Sequence, residues 1–385
     1  MSVSWGAMGR VVVVWWLVIA SFVLVTAQQA TAAVVTVGPA DDLQGAVDGL
    51  RPGDTLRLRR GTYNQFIEVR RSGRRRAPIR IIGAGRERTV LSGHGLNWRY
   101  GLTISGSWVV VENLALRDYV RDGTPGHGVG VEGAAHDVVL RRLKVANSGT
   151  GIKIAGAGGT NSNITIDRVA GRDLTVGGVD CGPGTCRGLR ITNSSFVGPG
   201  SGDDTGVDGI AVEDGRDILI SNVSVRGFQG DGIDVKASRV DVHRVRVTGN
   251  GREGIKLWQG GSITTSSSRR NMLAQLVLLG TSNYLVEKSG FSGRTSYGYL
   301  VELEGGKVRL ERNTFHSDVA ANAGTALWIT SRTISGGNNK VWAPNRTDAV
   351  IDHNGDVFSA DRLRAGTWPG AMAGSNCYCP PKELD

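Results

Sequence analysis

A five-residue phrase recurs three times between Val207 and Trp258, and its spacing restricts the folds open to the chain. It reads Asp208-Gly209-Ile210-Ala211-Val212, then Asp231-Gly232-Ile233-Asp234-Val235, then Glu253-Gly254-Ile255-Lys256-Leu257. The phrase glycines lie 23 and then 22 residues apart. A fixed period of this size marks a solenoid, in which each repeat buries its apolar face against its neighbours. Gly128-Val129-Gly130-Val131 and Gly151-Ile152-Lys153-Ile154 share the register upstream, and Leu276-Val277-Leu278-Leu279 and Tyr299-Leu300-Val301-Glu302 continue it downstream. Further short runs rich in β-branched residues complete each repeat, such as Asp217-Ile218-Leu219-Ile220 and Val223-Ser224-Val225. Gly, Asn, Ser and Asp separate them, as strand-and-turn chemistry requires. Three short strands per turn of about 22 residues describe an all-β fold, a right-handed parallel β-helix.

The 57 glycines among 385 residues, without a collagen triplet, agree with a tight turn every few residues. Near the start, Asp41 to Leu50 puts Leu43, Ala46, Val47 and Leu50 on one helical face. That pattern predicts a short N-terminal capping helix, because the open end of a solenoid exposes core. The expected organisation is a leader over 1–33, an N-terminal cap and first coils over 34–100, coils over 101–334, and a C-terminal cap and tail over 335–385.

The leader carries Arg10, an apolar run from Val11 to Val25, and a small-residue cleavage signal at Ala30-Thr31-Ala32. It predicts a secreted, extracellular protein with no stable membrane insertion after cleavage. A retained anchor is the alternative, since the run approaches a membrane span. Export permits disulfides. Of the four cysteines, Cys181 and Cys186 are expected to close the loop Gly182-Pro183-Gly184-Thr185. Cys377 and Cys379 sit too close in sequence for an easy mutual bridge, so their pairing stays open. No CxxC spacing supports a zinc thiolate site.

The net charge of +10 predicts an acidic partner. No RNP-type aromatic segment or zinc-finger spacing supports a nucleic acid. An anionic surface and an acidic polysaccharide stay open as partners, the plainer reading is a soluble basic surface, and the chain is expected to be a monomer.

Stacking turns the sequence period into spatial columns, with neighbouring strands about 4.8 Å apart. Asp208, Asp231 and Glu253 precede the phrase glycine in three successive coils. Asp234 and Lys256 follow it by two positions, above Ala211. The aliphatic residues on either side alternate inward, so this second position points outward. Carboxylates stacked at such a distance repel by roughly a kcal/mol or more per pair, and call for a cation. Ca²⁺ suits an oxygen-only donor set in flexible geometry. The plainer reading is a polar solenoid face, with Asp234 paired to Lys256 and the other aspartates shaping turns.

The triple phrase resembles the active-site coils of family 9 polysaccharide lyases, calcium-dependent pectate lyases built on a parallel β-helix. The run Pro52-Gly53-Asp54-Thr55-Leu56-Arg57-Leu58-Arg59-Arg60-Gly61-Thr62-Tyr63, and Ala77 to Gly85 after it, is similar to the opening of pectate-lyase-like β-helices generally. The family resemblance implies that Asp208, Asp231 and Asp234 ligate Ca²⁺ and that Lys256 is the Brønsted base. Gly230 stands where the family phrase has another Asp, so one ligand is missing, with Glu253 or water as its substitute. Arg252 and Trp258 are the expected substrate-binding neighbours, Trp258 as a sugar-stacking face. The implied function is calcium-assisted β-elimination of a uronate-containing polysaccharide such as pectate. Lys153, in the column of Lys256, reads as a solvated lysine.

Two other readings compete. Asp231-Gly232-Ile233-Asp234 is similar to a phrase of polygalacturonase-type glycoside hydrolases, but Gly126-His127-Gly128 precedes it rather than follows, and no Asp-Asp pair comes after it. A non-catalytic carbohydrate-binding or surface β-helix would also carry these repeats. Trp98 and Trp108 lie too far along the chain to be placed.

Overall fold

The computed structural model describes residues 31–155, 159–184, 186–200, 206–293, 298–317, 325–331, 333–343, 349–352, 354–372 and 375–379. The leader expected over 1–33 lies almost entirely outside them.

From Ala32 onward the chain winds as an all-β parallel solenoid of about 12 turns. Each turn contributes a strand to each of three parallel sheets. The first sheet begins with Val34–Val37 beside Thr55–Leu58 and Ile79–Gly83. The second begins with Gly61–Tyr63 beside Thr89–Ser92. The third runs from Ile67–Val69 through Tyr100–Ile104 and His127–Val131 to the three phrase strands and beyond. Among the described strands, only Val120–Arg121 with Thr124–Pro125 and Val350–Ile351 with Val357–Phe358 pair antiparallel. The parallel ladders reach into both terminal segments, ending where Lys340–Trp342 meets Cys377–Tyr378.

Period-two alternation drives this arrangement. Ile210 and Val212 are buried with Ala211 between them half-buried, and Ile255, Lys256 and Leu257 repeat that pattern two coils on. Ile210, Ile233, Ile255 and Leu276 stack in register and are 0% exposed. Each such side chain stabilises the fold by about 1.5–3 kcal/mol relative to leaving it in water. The interior also holds amide stacks that the alternation does not announce. Asn250 Nδ2 donates to Asn271 Oδ1 at 2.8 Å, and Asn313 and Asn339 continue the device further along. A buried amide is tolerated because the next coil supplies its partner.

The bend after the first sheet uses one left-handed residue per coil. Asn193, Asn222, Arg244, Thr265 and Lys288 have φ between 49° and 55°. A helix spans Leu43–Asp48, shorter than the Asp41 to Leu50 pattern. Asp42 caps it by accepting from the Gly45 N–H, and Leu43 and Val47 are buried. Cys181 is bonded to Cys186 as expected. Cys377 is bonded to Cys379, so the closeness of that pair in sequence does not keep it apart. Among the described residues, no helix is long and apolar enough to cross a membrane.

Candidate functional site

Exact register brings the phrase acids together. Ile210 pairs with Ile233 and Ile233 with Ile255, so Asp208, Asp231 and Glu253 stand in one column. The column is held by the chain itself. The Asp231 N–H donates to Asp208 Oδ1 at 2.7 Å, and the Glu253 N–H donates to Asp231 Oδ1 at 2.9 Å. The neighbouring outward column pairs Ala211 with Asp234 and Asp234 with Lys256.

Lys256 does not pair with the carboxylate directly beneath it. Its Nζ lies 3.4 Å from Asp231 Oδ2, across to the adjacent column. Asp234 instead accepts from Trp258 Nε1 at 2.7 Å and faces Lys236 Nζ at 3.6 Å. Lys236 also reaches Glu213 Oε2 at 2.5 Å. The Arg252 Nε is 3.5 Å from Glu253 Oε2 and 3.9 Å from Asp231 Oδ1. These groups sit above the aliphatic core, and Asp231 and Asp234 are 3% and 6% exposed.

Burial and crowding raise the proton affinity of these acids. Asp208 is pushed up to about 7, first by burial and then by the charges of Asp231 and Asp234. Asp231 is also pushed up to about 7, by burial first and then by Glu253, with Lys256 opposing. Asp234 is raised by burial, while the Trp258 N–H and Lys236 work the other way. One carboxylate oxygen from each of Asp208, Asp231 and Asp234 can be chosen so that all lie within 4.8 Å of one another. Three hard oxygen donors this close, each disfavoured as a bare anion, fit a hard divalent cation.

Gly230 is set by packing. A Cβ there would come within 2.5 Å of Asp208 Oδ1 and 2.7 Å of the Val207 nitrogen. The segment carrying Asp208 occupies the space that a side chain at 230 would need.

Trp258 presents an exposed ring, with Lys256 Nζ 5.4 Å from its centroid. Its N–H is committed to Asp234, so it orients a site acid as well as offering a face. Lys236 was not singled out from sequence. The signal was there, since it lies two residues beyond Asp234 and alternation carries it to the same outer side.

A second polar group lies further along the same face. Tyr100 pairs in register with His127, ring centroids 5.0 Å apart, and Lys153 pairs with Asp180. Lys153 forms an ion pair with Asp180, so it is not a freely solvated lysine. Burial, with Lys153 and Arg99, pushes the His127 imidazole down to about 4. Burial and Glu132 push the Tyr100 phenol up to about 12. The hairpin of Val120–Arg121 with Thr124–Pro125 lengthens the coil between Tyr100 and His127 and hides their pairing from the sequence period. Trp98 stacks on Phe66 at 4.0 Å, and Trp108 meets His136 edge-on at 5.6 Å, so neither joins the acids.

No curated protein matches the sequence. Several solved structures share the fold. The A-module of mannuronan C-5 epimerase AlgE6 from Azotobacter vinelandii superposes with a TM-score of 0.59 at 14% identity, covering 88% of this chain and 94% of that one. The A-module of AlgE4 from the same organism gives 0.54 at 17% identity, over 77% and 89%. Pectate lyase Pel9A gives 0.50 at 14% identity, over 80% of each. The sequence itself matches the family described as right handed beta helix region, over residues 94–262 and 184–341. With strand ladders, burial and family match in agreement, this chain belongs to the right handed beta helix region family.

Proposed function

We propose that the protein is a secreted polysaccharide lyase that cleaves a uronate-containing polysaccharide, pectate or a relative, by calcium-assisted β-elimination. The observation that carries this reading is the placement of Lys256 Nζ beside buried Asp231, with Asp208 and Asp234 adjacent, on one outward face. The acid cluster suits a chain that brings its own carboxylates, provided a cation bridges the two. Asp208, Asp231 and Asp234 would hold Ca²⁺. When bound, it neutralises the substrate carboxylate and makes the C5 proton more acidic.

The chain's own groups do the rest. Lys256 is the base that takes the C5 proton. The electrons of that C–H bond form the C4=C5 double bond as the C4–O bond breaks, and the leaving oxygen takes a proton from water. Asp231 holds Lys256 over the face, and Trp258 orients Asp234 while offering its ring to a sugar. Arg252, beside Glu253 at the rim of the cluster, would meet a second substrate carboxylate. His127 and Lys153 extend the surface along which a polymer would lie. The helix Leu43–Asp48 covers the first coil, and the leader directs export.

Proton removal at C5 is also the first step required of a C-5 epimerase, the activity named for two of the similar structures. The two outcomes differ in product, since epimerisation leaves the chain uncut. The test is near-ultraviolet absorbance of unsaturated uronate, with polygalacturonate, alginate and chondroitin, with and without chelator. The reading predicts a calcium-dependent rise with at least one polymer. Folded protein that gives no rise with any of them, Ca²⁺ present, overturns it.

A further inference from the structure

The site just described is acidic, yet the chain carries ten positive charges in excess, and four exposed arginines gather on a different face. On the outward side of the second sheet, Ser224 pairs with Arg246 and Arg246 with Ser267, while Arg226 pairs with Thr248 and Thr248 with Arg269. The arginines therefore zigzag up three successive coils, each about 5 Å above the last and offset by two residues along the strand. Arg244, at the left-handed bend beside them, adds a fourth.

All four are exposed. Several surface arginines of other faces are matched with acids: Arg141 and Arg142 share Glu112, Arg239 meets Asp217, and Arg312 meets Glu287. Among the described residues, no carboxylate lies within ion-pair distance of Arg226, Arg244, Arg246 or Arg269. From Ser195 to Ser292 the outward positions of this sheet hold no acid at all. A groove of about 490 Å³ runs across the same coils, lined by Arg244, Arg246 and Lys288 among serine, threonine and asparagine side chains.

We infer that this face binds an acidic polysaccharide at a site separate from the acid cluster, which rests on the proposed substrate class. Uncompensated guanidiniums at regular spacing fit carboxylates or sulfates repeated along an extended chain. The hydroxyls and amides between them fit sugar hydroxyls. The groove has no aromatic ring on which a base could stack, so single-stranded nucleic acid is a poor occupant. A shallow sheet face also offers nothing to enter a duplex groove. The polymer would be held on the second sheet while another stretch of it, or a neighbouring chain, meets the third.

The test uses the full chain and the triple variant Arg244→Ala, Arg246→Ala, Arg269→Ala. Binding to polygalacturonate and alginate is read by affinity electrophoresis at several salt concentrations, with a DNA duplex as a control polyanion. Cleavage of a short oligouronide is read in parallel. The inference predicts that the variant binds polymer on the order of tenfold more weakly, with a flatter salt dependence. Oligouronide cleavage stays at the parent level. Unchanged polymer affinity and salt slope overturn it, as does retention of DNA but of no acidic polysaccharide. If neither protein cleaves anything yet the variant loses polymer binding, the lyase reading fails and this one stands.

Discussion

Lys256 Nζ is 3.4 Å from Asp231 Oδ2, diagonally across two columns, while Asp234 directly below Lys256 is turned to Trp258 and Lys236. The lysine is therefore fixed by one acid and leaves the other to neighbours in its own and the next coil. This division of partners gives each side chain of the cluster a distinct expected response to mutation.

Lys256→Ala is predicted to lower the elimination rate by about 10²–10⁴, the usual span for losing a proton-transfer group. Lys256→Arg should lower it comparably, because arginine keeps the charge but cannot serve as a base near neutral pH. Rates on polygalacturonate, with circular dichroism to confirm folding, check this. An active Lys256→Arg would make the role of Lys256 electrostatic.

Stability should fall as pH rises through the neutral range in metal-free buffer. Asp208 and Asp231 are held up to about 7 in the folded protein, against an unfolded value of about 3.9. The folded state thus binds more protons between those limits, and the stability this contributes is lost as pH climbs towards and past 7. Tm measured from pH 5 to pH 8 with chelator should decline, and Asp208→Asn should flatten the decline. Added Ca²⁺ should restore Tm most at the alkaline end.

His127 acts in the opposite sense. Its imidazole is depressed to about 4, so the unfolded chain binds the extra proton between pH 6.5 and 4. The stability that His127 contributes is lost as pH falls through that window, against the larger gain from Asp208 and Asp231. His127→Gln should therefore steepen the net rise in Tm as pH falls from 6.5 to 4, measured by thermal melts.

Gly230→Asp restores the letter that the lyase family has at this position, and it should not improve cation binding. The new Cβ meets Asp208 Oδ1 and the Val207 backbone, so the expected cost is about 1–3 kcal/mol. Calorimetric Ca²⁺ titration alongside a melting curve checks both halves. A tighter site at unchanged Tm would show that the 207–208 segment yields.

Trp258→Phe keeps a ring and removes the N–H to Asp234. A hydrogen bond to a charged group contributes about 1.5–3 kcal/mol, so kcat should fall roughly tenfold with KM little changed. Trp258→Ala should raise KM as well, since the stacking face is lost. Steady-state kinetics on one polymer separates the two roles.

The fold was legible because Ile210, Ile233 and Ile255 repeat with a period that only stacking explains, and the alternation around them fixes inside and outside. The same reasoning put Asp208, Asp231, Asp234 and Lys256 on one wall. It did not yield the diagonal pairing of Lys256 with Asp231, because a column says which residues are neighbours and not which way a long side chain leans. It missed the pairing of Tyr100 with His127, since the hairpin of Val120–Arg121 with Thr124–Pro125 lengthens the coil between them. The Asn250–Asn271 stack was invisible for another reason: a buried asparagine has the same letter as one in an exposed turn.

The most direct test of the central claim is the mass of the products formed from a defined oligouronide in heavy-oxygen water with Ca²⁺. Elimination by Lys256 predicts two fragments whose masses sum to that of the substrate, one with an unsaturated end, and no solvent oxygen in either. Fragments that together gain one water, labelled from solvent, would contradict it and make the protein a hydrolase.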